Sequence, residues 1–428
     1  MKFLFLLILV ILLLSGVPVA YSVGFAAVIG MISNGGIHLM NISQATINGV
    51  NNFTLLAVPL FLLAGKLMNT GGVTRRLFRF AGMLVGWLPG GLGHVNVLCS
   101  VIFAGMSGSA VADAGGLGAI ELEAQRNAGY DDEFSVGVTA ASSLLGPLIP
   151  PSVPLILFGM MSGASVGSLF MAGIVPGIVL ALSFMLLVSI MAHKRHYPRE
   201  SFPGLREAVK ISLDAILPLM AVVIILVGRF SGFFTTTECA AVVVVYSLIL
   251  CMFIYREVNL KKLHELLIET VKDTVTVSII VAFAALLGTV LVRSMLPQQI
   301  AKLMGGIVTS RFMFLIVLNI FLLFVGMFME STSCVTILVP ILLPLALQWG
   351  ITPIQLGIIF VVNLGVGVMS PPFGILIFVM SKVAGMDSMK VAKAFIPWIV
   401  VTTIVVFIIS FIPQLTLWLP SLMGLSVD

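Results

Sequence analysis

The residues best suited to chemistry in this 428-residue chain are hydroxyls and backbone carbonyls set in apolar surroundings. One group falls in GMSGSAVADAGGLGAIELEAQ, Gly105 to Gln125, and another in GMFMESTSCVTILVPILLP, Gly326 to Pro344. Ser107, Ser109 and the carbonyls near Gly108 offer uncharged oxygens, the donors that a hard monovalent cation such as Na+ prefers. Glu330, Ser331, Thr332 and Ser333 repeat that offer and add a negative charge. Asp113 is costly in so apolar a setting and calls for a partner or a function. The competing role for each serine is to cap a helix N-terminus. Each segment reads as two short halves joined at a polar tip, the pattern of a re-entrant hairpin.

GPLIPPS (Gly146–Ser152) and GVMSPPF (Gly367–Phe373) each set two prolines inside an apolar helical run. Proline has no amide to donate, so carbonyls among Gly146 to Ile149 and Gly367 to Ser370 lose helical partners. Unwound carbonyls opposite a serine-bearing tip make an oxygen cage without net charge. Such a cage suits a monovalent cation better than Ca2+ or Mg2+, which recruit carboxylates.

These features sit in a chain that is 60% hydrophobic and 9% charged, with a mean hydropathy of +1.20. Soluble domains carry about 25% charge, so this is an integral membrane protein. Apolar stretches fall near 3–21, 23–40, 53–69, 92–106, 134–160, 167–193, 210–229, 235–254, 274–296, 311–328, 352–381 and 389–413. They are helical spans by length, and the alternating strands of a β-barrel are missing. The expected fold is all-α, with about 11–12 transmembrane helices. The opening MKFLFLLILVILLLSG reads as a retained span rather than a signal peptide, since more apolar sequence follows at once. Thr74–Pro89 and Lys262–Asp273 are amphipathic and are expected to lie flat at the interface. The net charge of +5 comes mainly from loops such as HKRHYPR (His193–Arg199) and YREVNLKK (Tyr255–Lys262). Such loops mark the cytoplasmic side, not a nucleic-acid site. Four scattered cysteines and five histidines show no ligand spacing, and no P-loop is present.

Shifting the chain by 221 aligns Gly105-Met106 with Gly326-Met327, Pro150-Pro151 with Pro371-Pro372, and Pro176 with Pro397. From Gly146 to Phe158 the copies share five of thirteen residues without a gap. The chain is therefore an internal duplication. Residues 1–209 form the first repeat, with a hairpin near 106–128 and a broken helix near 134–160. Residues 210–428 form the second, with a hairpin near 329–349 and a broken helix near 352–381. Matching interrupted segments in two repeats point to a midplane binding site. An inverted repeat needs an odd number of crossings between equivalent helices. The apolar stretches give an even number, so either one of them is not a crossing or the repeat is parallel.

Arg293 lies near the end of a span, where it either snorkels to the headgroups or faces the cavity and pairs with a carboxylate. Lys66, Arg229, Glu238 and Lys382 read as interfacial anchors, and Asn96, Asn319 and Asn363 as interhelical hydrogen-bonding groups. GMSG at Gly105–Gly108 imitates an intramembrane serine protease, but no histidine is placed to act as its base and the second copy has Phe328 where the serine would stand. An enzyme is not expected.

The stretch from Gly105 through GPLIPPSVPLILFG to Gly159, with NLGVGVMSPPFGILIFV at Asn363–Val379, resembles the large membrane subunit of tripartite ATP-independent periplasmic (TRAP) transporters. The resemblance covers essentially the whole chain. It implies an inverted-repeat elevator fold in the bacterial inner membrane, with two re-entrant hairpins and two Pro-broken helices. It also implies Na+-coupled uptake of an organic acid anion, such as sialic acid or a C4-dicarboxylate. The implied partners are a separate small four-helix membrane subunit and a periplasmic solute-binding protein. Carried over by motif, one Na+ site takes Ser107, Ser109, Gly146, Ile149 and Pro151. A second takes Gly326, Ser331, Ser333, Gly367, Met369 and Pro372. The anion is expected near Ser109, Asp113 and Arg293. The rival reading is a Na+ or H+ carboxylate symporter that needs no binding protein.

Overall fold

The computed structural model describes residues 4–33, 39–199, 201–230, 233–304 and 308–427, and these contain helices and no strand. Helices α1 (Leu4–Leu14), α2 (Val19–Ser33) and α3 (Leu39–Val50) lead into α4 (Ala57–Thr70) and the amphipathic α5 (Val73–Val85). Then come α6 (Gly91–Ser107), α7 (Ala110–Gly115), α8 (Leu117–Asn127), α9 (Asp132–Ser143), α10 (Val153–Ser162) and α11 (Val166–Arg195). Helix α12 (Leu205–Phe230) leads to α13 (Thr236–Leu248), α14 (Leu260–Arg293), α15 (Leu296–Met304) and α16 (Arg311–Gly326). The chain continues with α17 (Ser331–Gln348), α18 (Pro353–Met369), α19 (Ile375–Ala384), α20 (Ser388–Phe411) and α21 (Gln414–Leu422). Among the described residues, seven helical stretches are each long and apolar enough to cross a membrane alone.

Polar residues set where the helices begin. Ser109, Asp131, Ser152, Ser165, Asn259, Ser310, Thr352 and Asp387 each accept a hydrogen bond from an amide of the first turn. Thr235 and Glu238 form a reciprocal capping box at the start of α13, which accounts for Glu238 better than an anchoring role. Lys262–Asp273 does not lie flat: it forms the first turns of the 34-residue α14, where Asp273 has a partner in Lys66.

The 221-residue shift carries α6 onto α16, α7 and α8 onto α17, α9 onto α18, α10 onto α19 and α11 onto α20. Both Pro-Pro bonds, Pro150-Pro151 and Pro371-Pro372, are cis. The hairpins differ from their expected bounds. In the first, Gln125 Nε2 donates to the Leu92 carbonyl at 3.3 Å, joining the end of α8 to the start of α6. Thus α6 is one arm, α7 and α8 are the other, and the tip is Gly108-Ser109. In the second, the Phe314 and Trp349 rings stack at 6.2 Å, joining the start of α16 to the end of α17. The apolar stretches at 92–106 and 311–328 are hairpin arms rather than crossings, because a hairpin arm inside the bundle is as apolar as a span.

The same contacts fix orientation. The Tyr130 hydroxyl donates to Pro198 O and accepts from Leu92 N, so the first hairpin opens beside the basic loop 193–199. Helix α20 starts beside Arg195, where Lys390 lines the same cleft. Near its other end is Ser410, whose carbonyl accepts from Gln355, itself bonded to Arg311 at the start of α16. A helix of that length covers about 36 Å, so the two hairpins open on opposite faces. From α4 to its counterpart α14 the crossings are α4, the α9/α10 pair, α11, α12 and α13. That set is odd, and the repeat is inverted.

Buried polar contacts tie the arms to the broken helices. Asn96 donates to Thr139 Oγ1 (2.7 Å) and accepts from Ser142 Oγ (2.6 Å). In the second repeat Asn363 donates to Asn319 (2.7 Å), which donates to Ser410 Oγ (3.0 Å). Each such bond contributes about 0.6 kcal/mol in a membrane interior.

Gly326 and Gly367 meet backbone to backbone: a Cβ on Gly367 falls 2.5 Å from the Gly326 Cα. Gly367→Ala is expected to destabilise the protein by about 1–3 kcal/mol. Gly115→Ala, whose nearest neighbour is 3.9 Å away, is expected to be tolerated; melting temperatures of the two purified variants test this. On the basic face, Asp131 accepts from Arg195 Nη1 (2.6 Å) and from the Tyr197 hydroxyl. Burial pushes its carboxyl up, but these bonds and the Phe134 amide outweigh burial and hold it below the usual carboxylate range. Its contribution is full above the unfolded pKa of about 3.9 and is lost as pH falls through the lower folded value. Asp131→Asn should therefore lower the melting temperature at pH 7, and the deficit should shrink below pH 4.

Candidate functional site

The two hairpin tips share one cavity. It encloses about 360 Å³, within the range of about 300–1,000 Å³ typical of ligand pockets. Gly108 to Ala112 enter it from the first tip and Glu330 to Thr332 from the second. Pro147 and Val153 come from the first broken helix and Val368 from the second. The opposite wall is α4, through Leu62, Gly65, Lys66 and Asn69, and α14, through Asp273, Thr276 and Val277. On each helix these positions recur at three- and four-residue intervals, so each helix gives one face to the cavity.

The Gly108 backbone has φ +62° and sits against the first Pro-Pro loop, where a Cβ would come 2.8 Å from the Pro151 carbonyl. Ser109 lines the cavity while its Oγ accepts from the Ala112 amide at 3.4 Å, so it is a cap as well as a candidate ligand. The side chain of Ser107 lies outside the described residues. In the loop itself, the Ile149 amide donates to Leu145 O at 2.9 Å and the Ser152 hydroxyl donates to Pro147 O. The Leu148 carbonyl is turned toward Gly173 of α11. Pro150 occupies the position whose amide would serve the Gly146 carbonyl in a helix.

Asp113 is buried behind the first tip rather than in the cavity. Its carboxylate lies where a Gly146 Cβ would fall, 2.6 Å from Oδ2. It therefore borders Gly146 of the first broken helix and does not line the cavity. Arg293 is not brought to the tips. It is exposed at the end of α14 and lines a separate cleft with Gln44, Asn48 and Thr289. The amphipathic α3 packs on that part of α14, with Gly49 against Ala285.

At the second tip Ser331 and Ser333 are buried in the first turn of α17, and Ser331 with Thr332 and Glu330 reaches the cavity. The ring of Phe328 meets that of Phe373 in the second Pro-Pro loop, with centroids 5.1 Å apart. Gly326, Gly367 and Met369 are buried together with this tip, whereas Pro372 is exposed and Pro151 is buried. The Gly367 carbonyl keeps a donor, the Ser370 amide at 2.8 Å, because the residue three further on is not proline. The carbonyls of Val368 and Ser370 converge instead on Gly374, 2.6 and 2.8 Å from its Cβ position.

Lys66 is not a headgroup anchor. It lines the cavity and pairs with Asp273 at 2.7 Å and Glu269 at 3.5 Å. The signal in the sequence was its spacing from Leu62 and Asn69 on one face of α4. Among the described residues lining the cavity there is no histidine to serve as a protease base, and His94 lies on α6 itself and meets Ser189 at 3.2 Å.

The sequence matches a known family. The family model described as "Tripartite ATP-independent periplasmic transporter, DctM component" aligns with residues 6–415. The chain belongs to this family. It is 41% identical over 411 residues to the sialic acid TRAP transporter large permease protein SiaM of Vibrio cholerae, covering 96% of each chain. It is 40% identical over 375 residues to the C4-dicarboxylate TRAP transporter large permease protein DctM of Pseudomonas aeruginosa, covering 88% of each. The YdaH transporter of Alcanivorax borkumensis has a similar fold, with a TM-score of 0.58 at 14% identity, covering 97% of this chain and 98% of that one. This DctM-family chain is thus a transporter permease subunit, not an enzyme, and a multi-pass protein of the bacterial inner membrane.

Gly146→Ala should cost about 1–3 kcal/mol through its clash with Asp113. Adding Asp113→Ala should recover part of that loss, and a double-mutant cycle of melting temperatures measures the coupling.

Proposed function

We propose that this permease drives uptake of an organic acid anion by coupling it to Na+ influx, with sialic acid as the first candidate. The observation that carries the proposal is that two oxygen-rich tips, each against a Pro-broken helix, open into one cavity. The anion binds between the tips, near Ser109 and the N-termini of α7 and α17, whose amides favour negative charge. One Na+ is held at Ser107, Ser109, Gly146, Ile149 and Pro151, since the Pro147 carbonyl already accepts from the Ser152 hydroxyl and the Leu148 carbonyl is turned toward Gly173. Asp113 stands beside this cage. A second Na+ is held at Gly326, Ser331, Ser333, Gly367, Met369 and Pro372.

Residues 1–209 and 210–428 act as the two repeats. Together their hairpins and broken helices form one mobile unit that slides as an elevator past α4 and α14. The substrate reading is supported by the identity to SiaM, a sialic acid permease by name. A small four-helix membrane subunit and a periplasmic solute-binding protein complete the system. The Haemophilus influenzae sialic acid TRAP permease SiaT is matched over only 68% of its length, so it carries sequence beyond this unit.

Proteoliposomes holding both membrane subunits, with the binding protein outside, test the proposal. An inward Na+ gradient should drive accumulation of sialic acid, and Ser109→Ala should raise the half-saturating Na+ concentration about tenfold. Uptake driven by a proton gradient alone, or without the binding protein, would favour the rival symporter.

A further inference from the structure

Lys66 is the one cation among the described residues lining the cavity, where Asp273 and Glu330 supply two carboxylates. Its ammonium stands 2.7 Å from Asp273 and 3.5 Å from Glu269, two positions one turn apart on α14. The lysine side chain is 24% exposed, against 52% and 55% for its partners, so it is the most buried member of the cluster. Helix α4 meets the first hairpin directly, with Asn69 Nδ2 lying 2.6 Å from where a Cβ of Gly116 would stand. Lys66, one turn before Asn69 on the same face, is thus fixed on the wall that the tips face.

An anion that enters this cavity meets two carboxylates and one ammonium, and the ammonium is already paired. We infer that Lys66 is the counter-ion of the substrate carboxylate on the fixed wall, and that Asp273 competes with the substrate for it. In the empty carrier the Lys66–Asp273 pair is closed, which avoids leaving a bare ammonium in a partly dehydrated cavity. When the anion arrives, its carboxylate exchanges with Asp273 at the ammonium. When it leaves, Asp273 takes the ammonium back. The pair therefore sets two things, a preference for carboxylates over neutral sugars and a limit on how tightly the anion is held. This inference rests on the anion-uptake reading above.

The competition makes opposite demands on its two members, which a purely structural ion pair would not. Lys66→Gln should raise the half-saturating concentration for sialic acid uptake at least about tenfold, the scale for losing a charge-assisted contact. Lys66→Arg should stay within about threefold of the parent, because the charge is kept. Asp273→Asn should lower the half-saturating concentration and also slow turnover, because release is no longer assisted. All are measured in the complete three-component system under a Na+ gradient, with melting temperatures of the purified variants checked alongside.

A parent protein that takes up no sialic acid under that gradient overturns the uptake reading, and this inference with it. Uptake by the parent with Lys66→Gln unchanged within about twofold overturns the inference alone. So does a rise in the half-saturating concentration for both Lys66→Gln and Asp273→Asn. If Lys66→Gln does not accumulate as folded protein, the Lys66→Arg and Asp273→Asn pair decides the matter by the same criteria.

Discussion

Proline at 150 and 151 removes the amides that the carbonyls of Gly146 and Pro147 would use in a helix, and hydrocarbon offers no replacement. Freed backbone groups of this kind must face protein or a polar cavity. The first break therefore needs Ser152 to satisfy Pro147, a glycine in α11 to admit the Leu148 carbonyl, and a tip that packs close. Gly108 provides the tip's approach because no side chain separates it from Pro151. The second repeat meets the same demand with different residues, using the Gly326–Gly367 backbone contact and the Phe328–Phe373 ring contact. Hairpin and broken helix are thus obligate partners, and the two partnerships meet at a single cavity.

The architecture around them follows from inversion. Because the hairpins open on opposite faces, their tips approach from both sides and leave a cavity between them. Helices α4 and α14, equivalent in the two repeats, close that cavity along one wall. Each touches a hairpin at a small residue, α4 at Gly116 and α14 through Gly288 beside Pro340. Contacts through small residues suit surfaces that move past one another, whereas the polar networks of Asn96 and Asn319 bind each hairpin to its own broken helix.

Much of this was legible in the residues. The Pro-Pro pairs, the serine tips and the 221-residue shift located both broken helices and both tips, because backbone chemistry in lipid leaves few alternatives. Arm boundaries were not legible, since α6 and α16 are as apolar as true spans and differ only in where they turn. Lys66 looked like an anchor because a lysine at a helix end usually is one; only the apposition of α4 and α14 brings Asp273 to it. Arg293 was drawn toward the site by its charge, but the path of α14 carries it to a different cleft. Asp113 belongs to the site's neighbourhood without facing the cavity, a distinction of side-chain direction that spacing does not encode.

The central claim is that the two hairpins and the two broken helices, joined where α7 meets α19 and α10 meets α17, move together as one body against α4 and α14. Spin labels at Glu123 on α8, Lys382 on α19 and Lys261 on α14 report this through pairwise distances by electron–electron resonance, with and without Na+ and anion. The account predicts that the 123–261 distance separates into two populations whose balance shifts with ligands, while the 123–382 distance stays constant. A fixed 123–261 distance with a ligand-dependent 123–382 distance would contradict it.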